Sequence, residues 1–415
     1  MLNRICRILL KTVGIGAFLG LLALYQSDVM GQVMALPDTV YSGSLGAVAQ
    51  VPESPLLFGD IPAREVALLS GERLGGVRGT RITYRLFGVV PVKTVTVLEA
   101  EETSLVPGGT AVGITIRTDG VLIVGVGAVE TELGPVSPGT AAGLLAGDVI
   151  LTADGERVLN ADHLMRLTDE SDGSMDVVLE RNGASVEATV QMARDKKDGA
   201  NRIGLWVRDS TAGVGTLSFY DPETGWFAAL GHPVSDVDTQ SLLTIRDGRI
   251  LPSDIVDVKK GQQGSPGELV GAFSVTAQPI GRIRRNTEFG IFGVMEETYE
   301  NPLTGPVPMG YGYEAHAGEA SLLATISAEG VQAFSCQVVR VNAQSAAATR
   351  GMVISITDER LLEKTGGIVQ GMSGCPVLQD GKLIGIVTHV FVNDPTKGYC
   401  VYAEWMREEI WSGAR

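Results

Sequence analysis

Two short stretches carry residue types able to move a proton and attack a carbonyl. The first is GMSGCP, Gly371 to Pro376, in which Ser373 stands between glycines. A serine hydroxyl is a weak nucleophile until a base takes its proton, and the oxyanion formed on attack needs hydrogen-bond donors. Gly371 lets the backbone turn so that its amide and that of Ser373 aim at one point, which would make an oxyanion hole. Gly374 leaves room for a substrate, and Pro376 fixes the exit. The same glycines would equally serve a tight turn in an all-β protein. The second stretch is FAALGHPVSD, where His232 ends a strand-to-turn transition after a glycine and can project into a cleft as the general base.

The other three histidines fit this role less well. His163 falls on a helix, and His316 lies in the loop GYEAHAGE. His389 is on the apolar strand LIGIVTHV that follows the serine, where Thr388, His389 and Val390 would line a substrate cleft. An acid that orients the base has several candidates: Asp236, Asp238, Asp254, Asp257 and Asp358. Asp236 reads as a local turn cap. Asp358, in SITDERLLEKTGG, ends a strand and has an N-cap for the following helix as its rival role.

These residues need a frame, and the pattern supplies many short strands. Glycine is abundant, with 53 residues among 415, as suits strands joined by turns that need positive φ. From Ile203 to the C-terminus, runs such as GVGTLSFYD, GELVGAFSVTA, AFSCQVVRV and KLIGIVTHVFV predict a barrel or double barrel. AEWMREEIW predicts a closing helix. The formal net charge of −15 disfavours a nucleic-acid partner. The scattered histidines lack metal-ligand spacing, so neither metal nor other cofactor is expected. Cys336, Cys375 and Cys400 are an odd number for a disulfide framework, and free thiols are expected. At the N-terminus, Arg4, Arg7 and Lys11 precede the uncharged run Thr12 to Tyr25. That order predicts a single-pass transmembrane anchor over residues 1–26 with the rest exported, in preference to a cleaved signal peptide. Residues 27–94 read as a stalk with a strand-rich end, and residues 194–202 as a charged linker.

Residues 95–193 resemble a PDZ domain of the bacterial protease-associated type, most specifically in SPGTAAGLLAGDVILTADGERV. The family's carboxylate-binding pattern, apolar-Gly-apolar before a strand, falls on Val112, Gly113 and Ile114. The resemblance implies capture of peptide termini by β-augmentation. The rival for these glycines is a tight turn.

Over nearly the whole chain, the order of anchor, PDZ, LGHPVSDVDT, KGQQGSPGE and ISITDERLLEKTGGIVQGMSGCPVLQDGKLIGIVTHVFVNDP resembles the SpoIVB peptidase family. The resemblance implies a mainly β chain, with a PDZ domain followed by a chymotrypsin-like double β-barrel serine peptidase domain at residues 203–415. It implies His232 as base, Ser373 as nucleophile and Asp358 as orienting acid. It also implies sporulation signalling in the intermembrane space of the forespore. There the peptidase would cut the extracytoplasmic part of a membrane regulator, and itself, to activate an intramembrane protease and a mother-cell sigma factor. A catalytically silent PDZ adaptor and an envelope quality-control protease are the alternatives.

Overall fold

The computed structural model describes residues 38–41, 57–59, 72–74, 77–86, 89–98 and 103–413 except 343 and 345. The expected anchor and most of the expected stalk lie outside the described residues. No helix among the described residues is long and apolar enough to cross a membrane. The strand-rich end of the stalk is a hairpin of Val77–Leu86 and Val90–Leu98, with a register shift at Tyr84/Arg85 beside Pro91. Proline lacks the N–H a ladder needs, which explains the irregularity.

Twelve strands build two closed barrels. The first comprises β1 (Ala111–Val126), β2 (Leu205–Tyr220), β3 (Trp226–Ala229), β4 (Ile245–Pro252), β5 (Gly281–Thr287) and β6 (Gly290–Met295). The second comprises β7 (Gly318–Thr325), β8 (Val331–Val341), β9 (Met352–Ile356), β10 (Pro376–Gln379), β11 (Lys382–Phe391) and β12 (Asp394–Tyr402). Around the first ring the order is β1-β2-β3-β6-β5-β4, and around the second β7-β8-β9-β12-β11-β10. Counted from its own first strand, each barrel has the same topology. Closure removes the unpaired edges that many short strands would otherwise expose.

Each barrel fills its interior with the inward side chains of its strands, as the period of two requires. Val112, Ile114, Ile116, Leu217, Phe227 and Ile250 belong to the first core. Leu322, Phe334, Val338, Ile354 and Val387 belong to the second. A third cluster joins the barrels: Phe219, Ala228 and Phe292 meet Leu383, Ile386 and Val401. The C-terminal helix Ala403–Gly413 plugs it with Met406 and Ile410, both fully buried.

Between β1 and β2 the chain makes a separate unit with its own core, including Val121, Ile123, Ile150, Leu164, Met175 and Leu179. It holds the short helix α1 (Pro138–Ala141), the helix α2 (Ala161–Glu170) capped by Asn160, and the hairpin Ser174–Arg181/Ala184–Gln191 turning at Asn182-Gly183. The expected boundaries therefore move. Residues 111–118 belong to the first barrel and not to the unit that follows, so the unit is an insertion within the barrel. The expected linker is in part a small ladder of Ala193–Arg194 with Asn201–Arg202.

The clamp between barrels carries a testable cost. Met406→Ala should lower unfolding free energy by about 2–5 kcal/mol, because the neighbours from both barrels cannot close the cavity. Urea titration of the variant against the parent would measure it.

Candidate active site

His232 follows β3 through Leu230 and Gly231, both left-handed at φ 74 and 71. A leucine in that region is strained, and the strain is held by burial of its side chain in the first core. Gly231 is pressed against the second barrel: a Cβ there would lie 3.1 Å from the Thr388 methyl and 3.2 Å from the Val387 carbonyl. The two turns thus deliver the imidazole to the seam between barrels. Its Nδ1 lies 2.9 Å from the Pro233 carbonyl. A carbonyl only accepts, so Nδ1 carries the proton and Nε2 keeps its lone pair. Burial pushes the His232 pKa below the usual imidazole value, against a smaller opposing effect of Pro233. At neutral pH the ring is an unprotonated base.

Ser373 lies in the loop between α3 (Glu359–Thr365) and β10. Second-barrel bonds from Gly374 N to Val387 O (2.8 Å) and Val387 N to Cys375 O (2.9 Å) fix one side of the loop. On the other side, the Thr216 amide donates to Ser373 O (3.2 Å) and the Thr216 hydroxyl donates to Gly371 O (2.8 Å). Gly374 has φ 103, and a Cβ there would fall 2.1 Å from the Thr216 carbonyl oxygen. Only glycine permits this approach. The Ser373 hydroxyl donates to the Thr388 carbonyl at 2.8 Å. The amides of Gly371 and Ser373 meet no acceptor among the described residues. Beyond Val387, β11 is paired with β12 alone, so Thr388 to Val390 present a free edge on the serine's side. Thr388 is buried, Val390 half-buried and His389 exposed, with the His389 ring 5.2 Å from that of His232.

The family model described as SpoIVB peptidase S55 matches residues 199–407, half of the chain. The chain belongs to the SpoIVB peptidase family. Among solved structures it is similar to the Rv3671c protease from M. tuberculosis in its active form, with 12% identity and TM-score 0.27. That match covers 48% of this chain and 74% of the other. It is also similar to the PDZ domain of the SdrC-like protein (Lmo2051) from Listeria monocytogenes, with 19% identity and TM-score 0.18, covering 21% and 87%. No curated protein matches. Family membership makes this chain a serine peptidase.

In this S55 peptidase, Ser373 bonds to the Thr388 carbonyl and the His232 ring stands 5.2 Å from that of the next residue, His389, whereas Asp358 is engaged elsewhere. Asp358 caps α3, accepting from Arg360 N (3.0 Å), and it takes the Arg360 guanidinium (2.8 Å) and Ser335 N (3.1 Å). These bonds, led by Arg360, hold its pKa down at about 2. Its local cap role has absorbed both oxygens. Asp236 is also occupied, by Arg208 and by the amides of Asp238 and Thr239. Among the described residues no carboxylate meets His232, and the Pro233 carbonyl holds its tautomer instead.

Val112, Gly113 and Ile114 are not a carboxylate loop. They are mid-strand in β1, paired on one side with Gly215, Val214 and Gly213 and on the other with Pro252, Leu251 and Ile250. A Cβ on Gly113 would sit 2.3 Å from the Phe273 ring, which accounts for the glycine. Neither edge is open to a peptide. His163 is buried, with Nε2 on Glu156 at 3.0 Å, and His316 pairs with Asp380 at 2.7 Å. Cys336, Cys375 and Cys400 are free and buried. Burial pushes the Cys375 thiol up to about 12, which removes the oxidation liability its position beside Ser373 suggests.

Two outcomes separate structure from chemistry here. Thr216→Val, which keeps shape and deletes the bond to Gly371 O, should lower kcat/KM about tenfold, as loss of one buried hydrogen bond costs about 1–3 kcal/mol. The thermal midpoint should hold far better than activity; an unchanged kcat/KM would dismiss the clamp. Asp358→Ala should cost about 1 kcal/mol of stability through the lost cap while keeping turnover near parent level. Asp358 has a depressed pKa, so its contribution is present above the unfolded carboxylate range near pH 4 and is lost as pH falls through about 2. The variant's stability should therefore change less across that window. A fall in turnover of about ten-thousandfold would restore Asp358 as the orienting acid.

Proposed function

We propose that Ser373 is the nucleophile and His232 the general base of this peptidase, with the amides of Gly371 and Ser373 as the oxyanion hole. The reading is supported by the Ser373 hydroxyl on the Thr388 carbonyl, by the His232 ring 5.2 Å from that of the adjacent His389, and by the Gly371 and Ser373 amides without acceptors among the described residues. A substrate strand would add to the free edge of β11 at Thr388 to Val390, bringing its scissile carbonyl over Ser373. The serine hydroxyl turns from the Thr388 carbonyl to His232 Nε2 and gives up its proton as its oxygen attacks the carbonyl carbon. The two amides take the developing negative charge. Protonated His232 then passes the proton to the leaving amine, and the C–N bond breaks. Water, deprotonated by the same nitrogen, hydrolyses the acyl-enzyme and restores the serine.

Peptide termini are a second ligand class in this reading, taken by the inserted unit. The strand edge that favours this is the first half of β2. From Leu205 to Thr211 it pairs with β1 alone, and the N-terminus of α2 reaches it through Ala161 N to Asp209 Oδ2 at 2.9 Å. At the level of the cell, we assign the chain to sporulation signalling. It is a single-pass membrane peptidase of the forespore, acting outside the cytoplasm on the extracytoplasmic part of a membrane regulator and on itself. The substrate class, the anchor and the compartment rest on kinship with the SpoIVB peptidases.

Full-length protein in detergent, wild type and Ser373→Ala, should be treated with a fluorophosphonate and weighed intact. Adduct and peptide cleavage in wild type only are expected, with the variant down by at least about a thousandfold. Equal cleavage by both would remove Ser373, and a folded protein with neither label nor cleavage would favour a silent adaptor. Unselective digestion of casein would favour envelope quality control. Because burial lowers the His232 pKa, the base stays unprotonated to lower pH. The acid limb of kcat/KM should therefore fall below the ordinary imidazole value of 6.5. A limb above that value would oppose His232 as the base.

A further inference from the structure

The free edge of β11 leads away from Ser373 past a cluster the reaction itself does not use. His389 follows Thr388 directly, and its ring stands 5.2 Å from that of His232 at a 42° tilt. Its cross-strand partner on β12 is Tyr399. The Arg350 guanidinium lies over the Tyr399 ring, 4.9 Å from its centre, and Phe391 packs on the same ring at 4.5 Å. The surface beside the substrate edge is thus an aromatic floor with two basic groups at its rim. Arg350 is exposed, and its guanidinium contact among the described residues is the Tyr399 ring, with no carboxylate. Lys397, on the same strand as Tyr399, is already paired with Asp394 at 2.8 Å. Desolvation, then His232, then Arg350 hold the His389 pKa below the usual value, so the field of Arg350 reaches that ring. In a chain of net charge −15, a cation without a carboxylate partner beside the His389–Tyr399 pair is a local reversal of sign.

We propose that Arg350 and His389 form an acidic-residue subsite, so that the peptidase selects substrates carrying Asp or Glu within about four residues of the bond it cuts. The inference rests on the Ser373 reading above. Guanidinium offers parallel N–H donors that match both oxygens of a carboxylate, and stacking on Tyr399 fixes its plane beforehand. Neutral His389 adds an N–H donor from the substrate strand's own neighbour. The two residues are specificity determinants and take no part in bond breaking.

The test uses full-length protein in detergent and a synthetic library of randomised peptides, with Ser373→Ala as the blank. Wild-type cleavage sites should be enriched in Asp or Glu at one position near the cut. For the best acidic peptide and its Glu→Gln analogue, wild type should prefer the acid by about tenfold in kcat/KM. Arg350→Glu should lose that preference or invert it while retaining turnover of the Gln analogue, and His389→Ala should weaken it through KM. Equal use of the Glu and Gln peptides by wild type would overturn the subsite whatever the variants do, and leave the peptidase reading standing. Retention of the preference in Arg350→Glu would overturn the role of Arg350. Cleavage undiminished in the Ser373→Ala blank would overturn the nucleophile assignment, and this inference with it.

Discussion

The Ser373 loop belongs to the second barrel, but its shape is imposed from the first. Thr216, on β2 and nearly inaccessible to solvent, spends its amide on the Ser373 carbonyl and its hydroxyl on the Gly371 carbonyl. Each bond adds only about 0.5–1.5 kcal/mol net, yet leaving either carbonyl unpaired in the seam would cost more than the bond contributes. With those carbonyls turned toward the first barrel, the amides of Gly371 and Ser373 in the same loop have no acceptors among the described residues. Gly374 makes the contact possible, since any side chain would strike the Thr216 carbonyl. His232 reaches the same seam from β3 through two left-handed residues, Leu230 packed in the first core and Gly231 pressed on Thr388. The site exists only where the barrels touch.

That dependence explains the arrangement around it. The apolar cluster of Phe219, Ala228, Leu383 and Val401, sealed by Met406 and Ile410 of the C-terminal helix, fixes one barrel against the other. The inserted unit is tied to the same frame by strands and not by a hinge. β1 and β2 run unbroken out of the barrel into the insert, and β2 extends from Leu205 beside α1 to Thr216 at the Ser373 loop. A peptide on the free edge of β2 and a substrate on the free edge of β11 would each add a strand to an existing sheet.

His232, Ser373 and Gly371 stand out as candidates in the sequence because the chemistry needs those residue types beside turn-forming glycines. It also displayed α2, the Asn182-Gly183 hairpin and the closing helix, whose caps and periodicity are local. Val112, Gly113 and Ile114 misled because apolar-Gly-apolar also describes a barrel strand that must let an aromatic ring approach. Asp119-Gly120 looks like the tip of a hairpin, yet β1 continues through it, so the start of the insertion left no local mark. Asp358 has the right type near the right loop, and the α3 cap with Arg360 claims it. Thr216 offers no signal at all, being one threonine in an alternating strand.

The central claim is that the seam assembles nucleophile, base and oxyanion donors from two barrels. Its most direct test is a crystal structure of the full-length protein inactivated by a fluorophosphonate. The account predicts phosphorus bonded to Ser373 Oγ, a phosphonyl oxygen within about 3 Å of the Gly371 and Ser373 amides, and His232 Nε2 facing the adduct with Pro233 still bound to Nδ1. An adduct elsewhere, or one whose oxygen points away from both amides while another side chain faces the serine, would contradict it.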